Sequence, residues 1–285
     1  MIGIAKIMRD YLVFVRAGKS SLHSELIRSD PNRNWDCCVS WYTEPTKNSL
    51  GEYHSREGIN KYEGFIDDYN AFLKDKNYKR LALIDDDVQF RPGDISRLFD
   101  YCDNENIELC QPALCWGTNA SHNVTLWNPL FNRRNVTFIE VMTPFFSIDM
   151  LNQLMPTFNL TKSTYGIDYA WSSILSGGGK IAIVDKIKVN HIKAIDQKKG
   201  AFYNYLRAMG VDAFEDYEGV KKLYGFEDGF KTLREDHVFR WFIPDFIGCY
   251  MIDCSEYLKV SCHEKIVYMK KVIKKLRKCV FSKGR

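Results

Sequence analysis

The sequence predicts an α/β fold in which a mostly parallel sheet is flanked by helices and followed by a helical C-terminal extension. Short apolar runs rich in β-forming residues alternate with helical patterns over the first two thirds of the chain. From about residue 197 the chain becomes mainly helical and rich in aromatic residues. A length of 285 residues with 45% hydrophobic and 27% charged residues suits a globular protein with a large core. We predict a first domain over 1–195 and the extension over 196–285.

The first elements follow from apolar patterning. Residues 11–15 are a run of β-forming side chains, and small residues at 16–21 follow at once, an order that opens many nucleotide-binding α/β folds. Residues 35–42 form a second strand by the same criterion. A helix is predicted at 62–76, because aromatic and aliphatic side chains recur there at helical spacing.

A third strand at 80–84 is apolar and runs directly into Asp85, Asp86 and Asp87. A helix is then predicted at 94–102. Two further strands are predicted at 108–114 and 137–146. A helix at 149–155 and a second helix from about 165 follow, and the last strand is predicted at 180–185.

The three aspartates stand where a buried strand ends. Because strand side chains alternate, Asp85 and Asp87 share one face while Asp86 points away. Ligands of open α/β sheets bind beyond the carboxyl ends of the strands, and paired carboxylates suit a hard cation such as Mn²⁺ or Mg²⁺. We predict a metal site at Asp85 and Asp87, whose cation would also bind the diphosphate of a nucleotide. Asp86 is either structural or in contact with the cofactor. A turn and helix-cap cluster is the alternative for the whole triplet.

Three further polar residues are candidates for the same site. His191 follows the last strand and is predicted to complete the metal's coordination as a neutral imidazole, the alternative being a hydrogen-bonded structural histidine. Asp168 opens a helix and is either a general base for an acceptor hydroxyl or a partner of the helix N-terminus. Glu140 lies in an apolar stretch, where an acidic side chain needs a cause, and is expected to bind the acceptor or orient a neighbour.

The loop after the first strand is predicted to contact the nucleotide, since small residues let the backbone approach a ligand and arginine suits phosphate or base. The residues assigned to this contact are Arg16, Ala17, Gly18, Ser21 and His23. Neither GxGxxG nor GxxxxGK[ST] occurs, which disfavours a dinucleotide cofactor and P-loop phosphoryl transfer.

Charge and cysteine content restrict the partners and the location. No leader or membrane-spanning run is evident, so a cytoplasmic protein is expected. The four glycosylation sequons are therefore attributed to chance. The nine cysteines are predicted to be buried free thiols. From Lys265 to Arg285 the chain is basic and amphipathic without an acidic residue. This segment is predicted either to lie on an anionic membrane surface, at the inner face, or to pack as a solvated helix. No nucleic-acid partner is expected.

Several segments resemble the GT-A fold glycosyltransferases, and in particular an uncharacterised family grouped with lipopolysaccharide-type enzymes. They cover roughly residues 11–195 and lie at 13–18, 62–65, 83–88, 111–113 with 121–122, 140–147, 165–168 and 184–185 with His191. The resemblance implies that Asp85 and Asp87 bind the cation and the donor diphosphate, that Asp168 is the base of an inverting enzyme, and that His191 completes the metal site.

The expected function is therefore cation-dependent transfer of a hexose from a nucleotide-sugar donor, with a UDP-sugar as the leading candidate, to a glycan or lipid-linked acceptor. Two alternatives stay open. The same aspartates would serve a phosphoesterase or nucleotidyltransferase acting on nucleotide sugars, and a non-catalytic sugar-binding subunit would need no cation-dependent donor binding.

Overall fold

A computed structural model describes residues 9–56, 58–129, 131–175, 181–193, 200–226 and 238–239. The chain divides into two compact units, Met1–Val238 and Phe239–Arg285, and the fold described below is that of the first. The predicted basic segment from Lys265 to Arg285 lies outside the described residues. Within the described part, no helix combines the length and the apolar character that crossing a bilayer requires.

Strands and helices alternate through the first half of the chain, as the sequence predicts. The strands are β1 (Tyr11–Ala17), β2 (Trp35–Trp41), β3 (Tyr53–Ser55), β4 (Arg80–Asp85), β5 (Val88–Gln89), β6 (Leu109–Leu114), β7 (Phe131–Asn135), β8 (Phe145–Ser147), β9 (Ile181–His191) and β10 (Val238–Phe239). The α-helices are α1 (His23–Arg28), α2 (Lys61–Asp68), α3 (Asp94–Asn104), α4 (Ile148–Leu154), α5 (Ile167–Ile174), α6 (Ala201–Ala208) and α7 (Ala213–Tyr224).

The main sheet has the strand order β7-β9-β6-β8-β4-β1-β2-β3. Strands β4, β1, β2 and β3 are parallel neighbours, and so are β6 and β9. Strand β8 joins the two parallel groups by pairing antiparallel with both β4 and β6, while β7 pairs antiparallel with β9. The sheet is thus mixed, and its parallel part carries the carboxyl ends at which ligands of such folds bind.

Helices cover both faces of the sheet, and the alternation of side chains along β1 shows the two layers. Val13 and Val15 belong to a core cluster shared with α1 and α3. Leu12 and Phe14 belong to the opposite cluster, shared with α2, α4 and α5. The strands are apolar on both faces because each face is buried, as expected where helices pack on both sides of a sheet. The predicted α/β class is confirmed. The described cysteines are buried and free, as predicted, at Cys37, Cys38, Cys102, Cys110 and Cys115.

The strand predicted at 137–146 is wrong over most of its length, since only its last two residues fall in β8. Backbone groups of the preceding stretch bind side chains and β4 amides instead of forming a strand ladder. The Val141 carbonyl accepts from the Tyr62 hydroxyl, and the Met142 carbonyl accepts from the Asp85 amide. Apolar composition alone does not distinguish such a buried irregular segment from a strand.

The last predicted strand, at 180–185, is longer in the structure, where β9 continues to His191. Strand β5 pairs antiparallel with this extension, which sets Val88 opposite His191. The acidic end of β4 directly precedes β5 in the chain. The pairing of β5 with β9 therefore brings His191 next to these aspartates. The site predicted from two distant segments is therefore assembled by a pair of strands that sequence patterning did not indicate.

Helices α6 and α7 continue the chain beyond residue 200. Helix α7 packs on the start of α5, where Gly166 adopts a positive φ of 88° and a Cβ would stand 3.0 Å from the Cβ of Val220. Glycine permits both the backbone conformation and this close approach. The domain boundary placed at residue 195 stays a prediction.

Candidate functional site

A cavity of about 1270 Å³ lies at the carboxyl end of β4. Seven of the residues singled out from the sequence line it, namely Arg16, Asp85, Asp86, Asp87, Glu140, Asp168 and His191. Four residues assigned to the first loop do not line it, namely Ala17, Gly18, Ser21 and His23. The cavity joins chain segments that are more than 100 residues apart in sequence.

Each aspartate of the triplet has a basic partner of its own. Asp85 accepts from the Nζ of Lys61 at 2.6 Å, and Asp86 accepts from the Nζ of Lys193 at 2.9 Å. The carboxylate of Asp87 lies 3.3 Å from Nε2 of His191. Three neighbouring carboxylates are costly to hold together unless positive charge compensates them, and these pairs supply it.

Lys61 is an internal counter-ion at the first residue of α2. Its side chain is only 6% exposed, and its ammonium also donates to the carbonyl oxygens of Leu83, Val141 and Met142 at 2.7 to 3.1 Å. Burial lowers the pKa of Lys61, and the charge of Asp85 and the hydrogen bond to it oppose that effect. Lys61 therefore ties α2, β4 and the segment after Glu140 together.

Asp86 links three parts of the site. One carboxylate oxygen accepts from the amide of Gly18 at 2.8 Å and from the hydroxyl of Tyr42 at 3.2 Å, and the other accepts from Lys193. Gly18 is required for this packing because a Cβ there would lie 2.1 Å from the Tyr42 hydroxyl oxygen. Asp86 thus organises the loop after β1 although it points away from Asp85 and Asp87.

The Asp87 and His191 side chains form the pair that best suits a divalent cation. Burial by itself would raise the pKa of Asp87 and lower that of His191, but their hydrogen bond and attraction reverse both shifts. The pKa of Asp87 consequently lies below its ordinary value and that of His191 above it. Nδ1 of His191 lies 3.0 Å from the carbonyl oxygen of Asn119, which fixes the ring's orientation.

Within the described ranges, no group of three His, Cys, Asp or Glu side chains is placed to hold a metal ion by itself. The donor chemistry nevertheless fits Mn²⁺ or Mg²⁺, which bind one or two protein side chains together with waters and substrate phosphates. Asp87 and His191 present such a carboxylate and imidazole to the cavity. Asp85 presents its carboxylate to the same cavity with Lys61 as its counter-ion.

Asp168 and Glu140 form an acidic pair within the same cavity, both almost fully buried. Burial, the charge of Glu140 and, in the opposite sense, backbone amides including that of Val141 bring the pKa of Asp168 to about 8. Burial also raises the pKa of Glu140 to about 7. One carboxylate oxygen of Glu140 is buried without a hydrogen-bond partner. Carboxyl groups with pKa values near neutrality are suited to proton transfer.

The first loop is held by hydrogen bonds within the protein, and its contact with the nucleotide stays a prediction. Arg16 reaches the cavity wall, but its guanidinium donates to the hydroxyl of Ser40 at 2.6 Å and to the carbonyl of Gly58. The ring of His23 is buried between the hydroxyls of Ser21 and Ser49, and burial lowers the pKa of His23 to about 4. His23 therefore holds the loop in place as a neutral ring.

The opposite wall of the cavity is aromatic. The hydroxyls of Tyr165 and Tyr203 are 2.5 Å apart, and the rings of Tyr169 and Tyr217 meet edge to face at a centroid distance of 5.2 Å. Phe214, at the start of α7, is 68% exposed. This wall offers apolar ring faces and phenol hydroxyls beside Asp168.

Sequence reasoning missed Lys61, Lys193 and Tyr42. Lys193 lies two residues after His191, a spacing that places both side chains on one side of an extended chain and therefore carries a usable signal. Tyr42 directly follows β2, at the same edge as the aspartates. Nothing in the local sequence around Lys61 indicates burial, because the first turn of a helix is an ordinary place for an exposed lysine.

No known family model matches the chain, and no curated protein is significantly similar to it in sequence. Solved structures similar in shape include GalNAc-T7 crystallised with UDP, GalNAc and Mn²⁺, at 11% identity and a TM-score of 0.49 over 75% of this chain. The chain spans half of that structure. TarS from S. aureus has 12% identity and a TM-score of 0.44, over 75% of this chain and 70% of TarS. A197 from STIV has 14% identity and a TM-score of 0.39, over 65% of this chain and 86% of A197. Structural similarity at this level supports no conclusion about individual residues or about activity.

Proposed function

We propose that the protein is a cation-dependent glycosyltransferase that moves a sugar from a nucleotide-sugar donor to an acceptor hydroxyl. The observation that carries this proposal is the cavity that holds both the ion-paired acidic end of β4 and the buried carboxyls of Asp168 and Glu140. The first group suits a cation with a diphosphate, and the second suits proton transfer at the acceptor.

In this proposal Asp87 and His191 hold Mn²⁺ or Mg²⁺, which would stabilise the negative charge of the departing nucleoside diphosphate. The acceptor oxygen bonds to the anomeric carbon as the bond from that carbon to the diphosphate oxygen breaks. The acceptor's hydroxyl proton passes to the carboxylate of Asp168. Glu140 raises the basicity of Asp168 through its negative charge. A single displacement of this kind inverts the anomeric configuration.

The donor is proposed to be a UDP-sugar, and the acceptor a glycan or a lipid-linked saccharide that rests against the aromatic wall. The basic segment from Lys265 to Arg285 is proposed to bring the enzyme to the anionic inner face of a membrane, where a lipid-linked acceptor would be presented. Its sequence carries nine basic residues and no acidic one.

Calorimetry with a panel of nucleotide sugars, with and without Mn²⁺, tests the proposal. We expect one donor to bind only when the cation is present. The Asp87→Asn variant should lose that binding, whereas Asp75→Asn, at an exposed position outside the cavity, should retain it. Donor binding that is equally tight in the presence of a chelator would contradict the cation's role.

Product analysis with the donor so identified separates transfer from hydrolysis. A glycosyltransferase requires an acceptor for turnover at its full rate, and the sugar appears on that acceptor. Rapid release of free sugar phosphate or nucleoside monophosphate without an acceptor would instead indicate a phosphoesterase or nucleotidyltransferase. Cation-independent sugar binding without turnover would indicate a binding subunit.

A further inference from the structure

We infer that Lys193 binds the diphosphate of the donor while remaining anchored on Asp86. The inference rests on the proposed function, because it assigns the residue that would grip the donor beside the cation. Lys193 follows the end of β9 by two residues and lines the cavity next to the acidic triplet.

The two lysines that pair with the aspartate triplet, Lys61 and Lys193, differ in how many of their N–H donors are already engaged. An ammonium group has three N–H donors, and Lys61 directs its donors at four oxygen atoms while only 6% of its side chain is exposed. Lys61 is therefore saturated. Lys193 is 42% exposed, and within the described part of the chain its ammonium donates to Asp86 alone. It has donors left for a ligand.

Backbone and side-chain contacts fix the ammonium of Lys193 beside the candidate cation ligands. The amide of Ile192 donates to the carbonyl of Asp87 at 3.1 Å, which ties the chain before Lys193 to the triplet. Lys193 and Asp87 line the same cavity, and Lys193 lies two residues after His191, whose Nε2 is 3.3 Å from the Asp87 carboxylate. A diphosphate that shares a cation with Asp87 would lie within reach of this ammonium.

Asp86 serves as the anchor. Its second oxygen accepts from the amide of Gly18 and the hydroxyl of Tyr42, so the carboxylate is held in place independently of Lys193. A positioned lysine loses less side-chain entropy on binding a ligand than a freely rotating one. Asp86 is a positioning residue in this arrangement, and Lys193 is the residue that touches the donor.

The other basic side chains of the cavity have different engagements. Arg16 donates to Ser40 and Gly58, as described above. Arg56 pairs with Glu44, and both side chains are largely exposed. Arg207 donates to the side chain of Asn204, within its own helix. Lys193, by contrast, bonds directly to Asp86 of the triplet.

The experiment measures the affinity for inorganic diphosphate and for methylenediphosphonate in the presence of Mn²⁺, because these probes do not depend on the identity of the nucleoside or sugar. Lys193→Met should weaken the binding of both probes by about tenfold at low salt. Lys193→Arg should recover most of the affinity, since the charge is kept. The loss should shrink as salt screens the charge.

Lys186→Met is the matched control, because Lys186 is exposed on β9, which leads to Lys193, and lies outside the cavity. It should bind both probes like the unaltered protein. Thermal unfolding of each variant verifies that the fold is retained, and Lys193→Gln provides a second neutral substitution. Equal affinity of Lys193→Met, Lys193→Gln and the unaltered protein would overturn the inference.

The two proposals fail in different ways. If the unaltered protein binds neither diphosphate probe nor any nucleotide sugar with Mn²⁺, the proposed function is lost and the inference falls with it. If the unaltered protein binds them and removal of the Lys193 charge leaves the affinity unchanged, only the role of Lys193 is lost.

Discussion

At the scale of single residues, Asp168 is held in a protonation state that water would not favour. A carboxyl with an ordinary pKa near 3.8 has a pKa of about 8 here, because it is buried and faces the negative charge of Glu140. At a pH above the ordinary aspartate pKa, the unfolded chain releases this proton and the folded protein retains it. The residue therefore lowers the free energy of unfolding in that pH range. Once deprotonated, the same carboxylate is a stronger base than an ordinary aspartate, which is the use proposed for it.

We predict that Asp168→Asn abolishes transfer and stabilises the fold. Below about pH 3 the aspartate is protonated in both the folded and the unfolded state, and the effect of the substitution is small. As the pH rises toward 8 the unfolded chain gives up its proton while the folded protein keeps it, so the native protein loses stability that the asparagine variant retains. Chemical unfolding should show a gain on the order of 5 kcal/mol at pH 8.

The control for this prediction is Asp149→Asn, at an exposed aspartate that also lies in the first turn of a helix. Its unfolding free energy should change by less than about 1 kcal/mol across the same pH range. A stability of Asp168→Asn that follows that of the unaltered protein from pH 4 to pH 8 would contradict the raised pKa.

At the scale of elements, the acidic end of β4 depends on helix α2. The side chain of Asn60 accepts from the amides of Tyr62 and Glu63 and so caps the first turn of the helix. The next residue, Lys61, is directed inward onto Asp85 and onto the carbonyls of Leu83, Val141 and Met142. A single ammonium thus binds both β4 and the irregular segment after Glu140.

We predict that Lys61→Met destabilises the protein by about 3 kcal/mol, because it leaves Asp85 and several buried carbonyls without their partner. Combining it with Asp85→Asn should cost less than the sum of the two single changes, by about 1 kcal/mol or more. Urea unfolding of the double-mutant cycle measures this coupling.

The exposed pair of Lys79 and Asp10, at the other end of β4, is the control. Lys79→Met should cost less than about 1 kcal/mol, because exposed ion pairs contribute little. If Lys61→Met were as mild as Lys79→Met, the buried ammonium would not be an organiser of the site.

At the scale of the whole molecule, the positive charge is unevenly distributed along the chain. The net charge is only +4, yet the sequence from Lys265 to Arg285 carries nine basic residues. Each basic residue near an anionic lipid surface contributes about 1 kcal/mol to binding. A segment of this composition would direct the chain to anionic membrane surfaces.

We predict that the full chain sediments with vesicles containing phosphatidylserine and remains in solution with phosphatidylcholine alone. Changing Lys270, Lys271, Lys274 and Lys275 to glutamine should weaken the binding to anionic vesicles at least about tenfold. The binding should decrease as salt increases. If vesicle binding depended neither on lipid charge nor on these lysines, the segment would be an ordinary solvated terminus and the prediction would be wrong.

The sequence by itself determined the α/β class and the placement of Asp85, Asp86 and Asp87 at a strand end. It also located strands β1, β2, β4, β6 and β9 and helices α2 to α5. These features follow from local patterns, because apolar periodicity and a sudden run of carboxylates are visible within a few residues. Sequence position also singled out Asp168 at the start of a helix, His191 after the last strand and Glu140 within an apolar stretch.

Only the tertiary structure decided which charges meet. Lys61 and Lys193 pair with aspartates 24 and 107 residues away, and Glu140 influences Asp168 through space. Residues 137–146 were predicted as a strand because they are apolar, but most of the segment is irregular, and its carbonyls bind the side chains of Lys61 and Tyr62 as well as amides of β4. Pairings of this kind depend on distances that the fold creates, and electrostatic interactions follow distance and burial rather than sequence order.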